Sequence, residues 1–210
     1  MSLLIDTQQP ETTVPLDPDL SHWVDSWAAH LAPDEVRWLT GTTQERHDLI
    51  RLMQDAGTIT ALNPETRPYS FVARSEPTDV ARVESRTFIC SIDPDDAGPT
   101  NNWMNPDEMR DTLTELTAGS MSGRTLYVVP FSMGPIDSPL ARLGVQITDS
   151  PYVALSLMVM VRVSDQVLER IYQGASWVKC VHTVGAPLDP GQEDVAWPCH
   201  DTKYISHFPE

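Results

Sequence analysis

Apolar positions at helical spacing alternate with short β-branched runs over the first sixty residues. Trp23, Val24, Trp27, Ala28 and Leu31 recur at i, i+1, i+4, i+5 and i+8. That spacing puts them on one face of a helix from about 22 to 31, with Ser21 as its cap. Val36 to Leu39 reads as a short strand. Thr42-Thr43-Gln44-Glu45 is a capping box, Thr and Glu three apart satisfying each other's orphan amides at a helix start. The helix it opens turns Leu49, Ile50, Leu52, Met53 and Ala56 inward and stops at Gly57. Thr58 to Ala61 follows as a strand. Helix, strand, helix, strand is an α/β pattern.

The pattern then fades. Residues 62–80 carry Pro64, Pro68 and Pro77 with little periodicity. A loop that long inside a compact domain is functional or disordered. It leads into Asp79-Val80-Ala81-Arg82-Val83-Glu84-Ser85-Arg86 and a β-branched, aromatic run from Thr87. A turn-rich stretch, 93–102, precedes a third helix. Asn105 caps that helix, Pro106 opens it, Asp107 and Glu108 sit at its positive end, and it runs to about Thr117 before Gly119. Arg124 to Phe131 is near-continuously apolar, the mark of a central strand covered on both faces. Residues 132–139 form a Gly/Pro loop and Leu143 to Thr148 a further strand. Ser150-Pro151 opens a buried helix over 151–162. Asp165 to Tyr172 is a short helix ended by Gly174, Trp177 to Val184 a strand, 185–200 a Pro-rich loop and Lys203 to Phe208 a final strand. The fold class this predicts is α/β, a mixed sheet flanked by helices, over residues 18–210. Residues 1–17 read as a mobile polar tail.

Composition narrows the function. The 210 residues carry a net charge of −16, which disfavours nucleic acid and anionic membrane, both bound through clustered Lys and Arg. No apolar run approaches the roughly 18 residues of a membrane span, and the N-terminus lacks the basic and apolar regions of a secretion signal. The three widely spaced cysteines, Cys90, Cys180 and Cys199, favour a reducing cytoplasm over a disulfide framework. A small anionic ligand remains compatible with such a chain, provided that its site is locally basic.

Complete catalytic signatures are absent: no G-x-x-x-x-G-K-[ST], no G-x-G-x-x-G and no H-E-x-x-H. Ser132, before Met133-Gly134, lacks the first glycine of a nucleophile elbow and reads as turn chemistry. Cys180 and His182 share one side of a strand and could form half a zinc site, but core packing is the commoner reason for that placement. Trp23 and Trp27 read as core; Trp103 and Trp197 read as core or loop anchors. Arg82 and Arg86 differ, because two arginines four apart need something to offset their repulsion. A carboxylate or phosphate would do so, since guanidinium grips either in a bidentate fork. A surface ion pair of Arg82 with Glu84 or Asp79 would also do so.

Four blocks resemble the N-terminal portion of GTP-dependent phosphoenolpyruvate carboxykinases of the actinobacterial type. They are Arg67-Pro68-Tyr69-Ser70-Phe71 with Ala73-Arg74-Ser75; Asp79 to Thr87; Gly123-Arg124-Thr125 through Phe131-Ser132-Met133-Gly134-Pro135 to Thr148-Asp149-Ser150; and Val178-Lys179-Cys180-Val181-His182 with Trp197-Pro198-Cys199. The resemblance runs from about residue 18 to the end. It implies an enzyme of gluconeogenesis, a carboxy-lyase converting oxaloacetate and GTP to phosphoenolpyruvate, GDP and CO2 with Mn²⁺ and Mg²⁺, cytoplasmic and monomeric at full length. It also implies that 79–86 is a mobile substrate loop, with Arg82 on the anionic substrate and Glu84 and Ser85 as lid or loop contacts; Arg86 acquires no role. The metal ligands, phosphate loop and guanine pocket of such enzymes match no segment of this chain. The expectation is therefore a substrate-side domain that holds no metal or nucleotide, lacks its C-terminal catalytic domain and is inactive alone. The alternative is a truncated, non-enzymatic α/β module that binds a small anion or a protein partner.

Overall fold

The computed structural model describes residues 7–8, 16–77 and 83–209. In chain order the elements are β1 (Thr7–Gln8), α1 (Pro18–Leu31), β2 (Glu35–Trp38), α2 (Thr43–Asp55), β3 (Ile59–Ala61), β4 (Phe71–Ala73), β5 (Thr87–Ile89), β6 (Asn102–Trp103), α3 (Pro106–Thr117) and β7 (Thr125–Met133). They continue with β8 (Arg142–Thr148), α4 (Pro151–Met160), β9 (Arg162–Val163), α5 (Asp165–Tyr172), β10 (Trp177–His182) and β11 (Ile205–His207). A main sheet of order β1-β2-β7-β8-β10 is mixed: β2 pairs with β7 and β8 with β10 in parallel, while β7 and β8 are antiparallel. β9 pairs with the far end of β7. This is the α/β architecture with a mixed, helix-flanked sheet that the pattern predicts.

The unbroken apolar run of β7 has a simple cause. Strand side chains alternate between faces, and both faces of β7 are covered. Leu126 and Val128 enter a cluster with Leu143, Val145 and Ile147 of β8 and with Trp23 of α1 and Leu168 of α5. Tyr127 and Val129 point the other way, into a cluster with Leu49 of α2 and Ala154 and Met158 of α4. The molecule is thus three-layered, with α1 and α5 on one face of the sheet and α2 and α4 on the other. Gly144 is required at its position, since it pairs with Phe131 and an added Cβ would stand 2.5 Å from the Phe131 ring. Any side chain there displaces that ring.

Several expectations shift. α1 starts a turn before Ser21, because Asp17 accepts from the backbone amides of Asp19 and Leu20 and Pro18 takes the first turn, where its missing N–H costs nothing. Leu20 joins the core as a result. The Thr42–Glu45 capping box is present as read, but α2 buries only Leu49 and Met53; Leu52 and Ala56 are exposed. The stretch 62–80 is not wholly loop: β4 forms an antiparallel pair with β3. Three residues are too few to show periodicity, and the pairing is what makes them a strand. α4 ends at Met160 and is only partly buried. It is apolar all round, yet Val159 and Met160 are 71% and 72% exposed, because nothing among the described residues packs on that side. Inside the expected tail, Thr7–Gln8 pairs in parallel with β2, and Leu16 packs on the core.

Candidate functional site

β5 lies between β11 and β6 in a three-stranded parallel sheet, and it carries the arginine-bearing segment at its N-terminal end. Glu84–Arg86 form one 3-10 turn. The Arg86 amide donates to the Val83 carbonyl at 3.0 Å, and the Thr87 hydroxyl donates to the same oxygen at 3.0 Å. Asn102 of β6 clamps the turn from the neighbouring strand, its Nδ2 donating to the Glu84 carbonyl and, at 3.0 Å, to the Thr87 carbonyl. The sheet beneath is tied in turn: the Cys90 amide donates to the His207 carbonyl at 2.8 Å and the Trp103 indole to the Ser91 carbonyl at 2.9 Å. Trp103 is therefore a loop anchor. The turn is thus tied to the three-stranded sheet, and binding residues concentrate on loops mounted on such scaffolds.

Of the expected site residues, Arg82 lies outside the described residues, as do Thr78, Asp79, Val80 and Ala81. Glu84 and Ser85 are exposed. Arg86 is half-buried at the root of the turn. Asn102 is a residue that sequence reasoning missed. An asparagine in a turn-rich stretch gives no signal that its amide will hold a loop 15 to 18 residues earlier.

A second group of polar residues gathers where β8 and β10 end, beside a cleft of about 1720 Å³. Asp149 is 3% exposed. One of its carboxylate oxygens accepts from the Val184 amide at 3.0 Å and the other from the Thr183 hydroxyl at 3.2 Å, which fixes the chain as it leaves β10. Thr148 and His182 share a 2.8 Å hydrogen bond across the parallel pair. Arg124, also buried, makes a two-pronged ion pair with Asp194, Nε to Oδ2 at 3.1 Å and Nη2 to Oδ1 at 2.9 Å, and donates to the Ala186 carbonyl. Asp149 and Arg124 thus hold the start and the far arm of the Pro-rich 185–200 loop. Trp197 at its end packs edge-on against Tyr152 of α4, 4.9 Å between centroids. Glu84–Arg86 do not line this cleft, so the two groups are separate places.

Burial pushes the Asp149 carboxyl up to about 6, against the pull of the Val184 amide, the Arg124 charge and the Thr183 hydroxyl. The folded state then holds this proton more tightly than the unfolded chain does. Its stabilising effect is complete below about pH 4 and is lost as pH rises through about 6. The gap of roughly two units corresponds to at most about 3 kcal/mol. Asp149→Asn removes the titration while keeping an acceptor for Val184. Relative to the parent chain, the variant is expected to gain stability between about pH 4 and pH 7, measured as urea midpoints at both values. An identical difference at the two pH values would show that Asp149 titrates as an ordinary carboxylate.

Other candidates resolve into structure. Ser132 is fully buried and its hydroxyl donates to the Gly134 carbonyl at 3.0 Å, the turn chemistry read from the sequence. Cys90 and Cys180 are free thiols, and burial raises the pKa of each, which keeps them from thiolate chemistry. Among the described residues no group of three or more His, Cys, Asp or Glu is placed to hold a metal ion. The Mn²⁺ and Mg²⁺ implied by the resemblance therefore find no fitting donor set on these residues. No helix of the described residues is long and apolar enough to cross a membrane.

The geometry can be set beside known proteins. The phosphoenolpyruvate carboxykinase N-terminal domain family matches residues 22–210. A protein of Corynebacterium efficiens named phosphoenolpyruvate carboxykinase (GTP) is 53% identical over 192 residues, covering 91% of this chain and 31% of that protein. Proteins of the same name from Corynebacterium glutamicum strain R and Corynebacterium jeikeium are 53% and 50% identical, over 91% of this chain and 32% of each protein. The chain spans about a third of the length of the curated relatives it matches.

Proposed function

This chain belongs to the phosphoenolpyruvate carboxykinase N-terminal domain family, and on that premise we propose that it is the substrate-side domain of a GTP-dependent, cytoplasmic carboxykinase of gluconeogenesis. The reaction is conversion of oxaloacetate and GTP to phosphoenolpyruvate, GDP and CO2. The observation that supports this reading most is the family match, which runs through nine tenths of the chain and is accompanied by relatives of that name at 53% identity. Arg82 binds the dianionic substrate and, once CO2 has left, the enolate, because a guanidinium offers two parallel N–H donors to a carboxylate. Fixed positive charge at that point stabilises the negative charge that develops in the reaction. Glu84 and Ser85, exposed on a clamped turn, contact the part of the enzyme that closes over the substrate. GTP and the divalent metals belong to the part of the longer protein that this chain does not span.

The test is a chimera in which residues 22–210 replace the matching segment of the Corynebacterium glutamicum strain R relative. GTP- and Mn²⁺-dependent consumption of oxaloacetate is expected from the chimera and none above background from the 210-residue chain alone. Turnover by the 210-residue chain would refute the division of labour. A folded chimera without activity would refute the assignment of this chain as the substrate-side domain.

A further inference from the structure

The turn Glu84–Arg86 buries no residue, so apolar packing does not fix it. Its internal hydrogen bonds are short-range. The Arg86 amide and the Thr87 hydroxyl donate to the Val83 carbonyl, each at 3.0 Å, and the Thr87 amide donates to the Glu84 carbonyl. A single turn with such bonds alone is poorly populated in water. Several dihedrals are fixed for few bonds, and each bond replaces one to solvent.

Among the described residues, the tie from outside is Asn102. Backbone pairing of β5 with β6 joins Phe88 to Asn102 and Ile89 to Trp103, so it stops short of the turn. The Asn102 side chain carries the connection further, its amide group donating to the Glu84 and Thr87 carbonyls. An amide nitrogen has two hydrogens, one for each, whereas an oxygen in its place would face two carbonyls. Asn102 is itself braced on both sides. The Asn101 side-chain amide donates to the Ala97 carbonyl at 2.7 Å, and the Trp103 indole holds the Ser91 carbonyl at 2.9 Å. Asn102 and Glu84 are both exposed. A side chain so placed adds little to the core; it sets the conformation of the neighbouring turn.

Resting on the reading above, in which 79–86 is the substrate loop, we propose that Asn102 is a positioning residue for oxaloacetate. It holds the turn at the C-terminal root of that loop before substrate arrives, so that binding does not have to supply the order. A loop ordered for only part of the time binds with its affinity reduced by that fraction. Losing the clamp therefore weakens binding and leaves the chemical step, taken in the ordered complex, unchanged.

Kinetics and amide hydrogen exchange test this together. In the chimera, Asn102→Ala is expected to raise KM for oxaloacetate about fivefold, with kcat within about twofold of the parent. Asn102→Asp, which keeps the size and loses the donor, is expected to do the same. In the 210-residue chain, the Arg86 and Thr87 amides of the alanine variant should exchange about fivefold faster, with those of β7 unchanged. Unaltered exchange at Arg86 and Thr87 refutes the clamp, and recovery by Asn102→Asp refutes the part given to the donor. Faster exchange with an unaltered KM refutes the positioning role. Equal falls in kcat and kcat/KM, or faster exchange throughout β7, refute it too, by making Asn102 a catalytic group or a prop of the whole fold. A parent chimera without activity removes the substrate loop and the proposal with it. An active parent whose KM does not respond to Asn102 defeats the proposal and leaves the function standing.

Discussion

Arg82→Ala, made in the chimera, is expected to lower kcat/KM for oxaloacetate by about two to three orders of magnitude. Both constants should move. KM rises because the ground-state carboxylate loses a charged partner, and kcat falls because the enolate carries more charge at the reacting centre than the substrate did. Arg82→Lys should recover only part of the loss, since an ammonium keeps the charge and cannot form the planar fork. Kinetics unchanged by either substitution would remove Arg82 from the site and favour a surface ion pair with a neighbouring acid. The neighbouring turn gives a control. Asn102→Ala loosens the Glu84 and Thr87 carbonyls and reaches the substrate only through the loop, so conservative replacement by Asp, which removes the Nδ2 donor, should not rescue it.

The second large effect is on stability. Asp194→Ala leaves the Arg124 guanidinium, whose side chain is 5% exposed, with the Ala186 carbonyl and the nearby charge of Asp149. Leaving a buried charge short of its partner costs about 3 kcal/mol or somewhat more. Arg124→Met should cost less. It removes the buried charge, and Asp194, 40% exposed, is left with access to water, which screens and hydrates it. The order of the two urea midpoints checks this: the aspartate variant should unfold first. Arg124→Met should also move the Asp149 carboxyl further above 6, because one of the influences that lowers it is gone. A larger loss from Arg124→Met would mean that the guanidinium acts mainly through its packed stem.

Where a local rule has a single answer, sequence and structure agree. The Thr42–Glu45 box and the Asn105-Pro106 start are satisfied by atoms within a few residues, and both are present. Ser21 fails as a cap because Asp17-Pro18 offers a better one a turn earlier. α4 shows a different limit. Its apolar character predicts cover, but the described residues cover only one side of it, and a one-dimensional pattern does not say which neighbour supplies the rest.

For the candidate site the division is similar. Arg82, the residue proposed to bind the anion, lies outside the described residues; the family resemblance was legible without coordinates, because it rests on residue order. The Asn102 clamp, the Asp149 anchor and the Arg124–Asp194 pair were not. Their partners lie 15 to 70 residues apart, and nothing in a single polar residue announces which distant amide or carboxylate it will meet. Sequence alone determined the α/β class, the starts of α2 to α5 and the central place of β7, since periodicity, caps and unbroken apolar runs are local consequences of backbone geometry. Only the tertiary structure decided that, among the described residues, β10 stands at one end of the main sheet, because strand order is set by which surfaces bury one another, and that is a property of the folded whole.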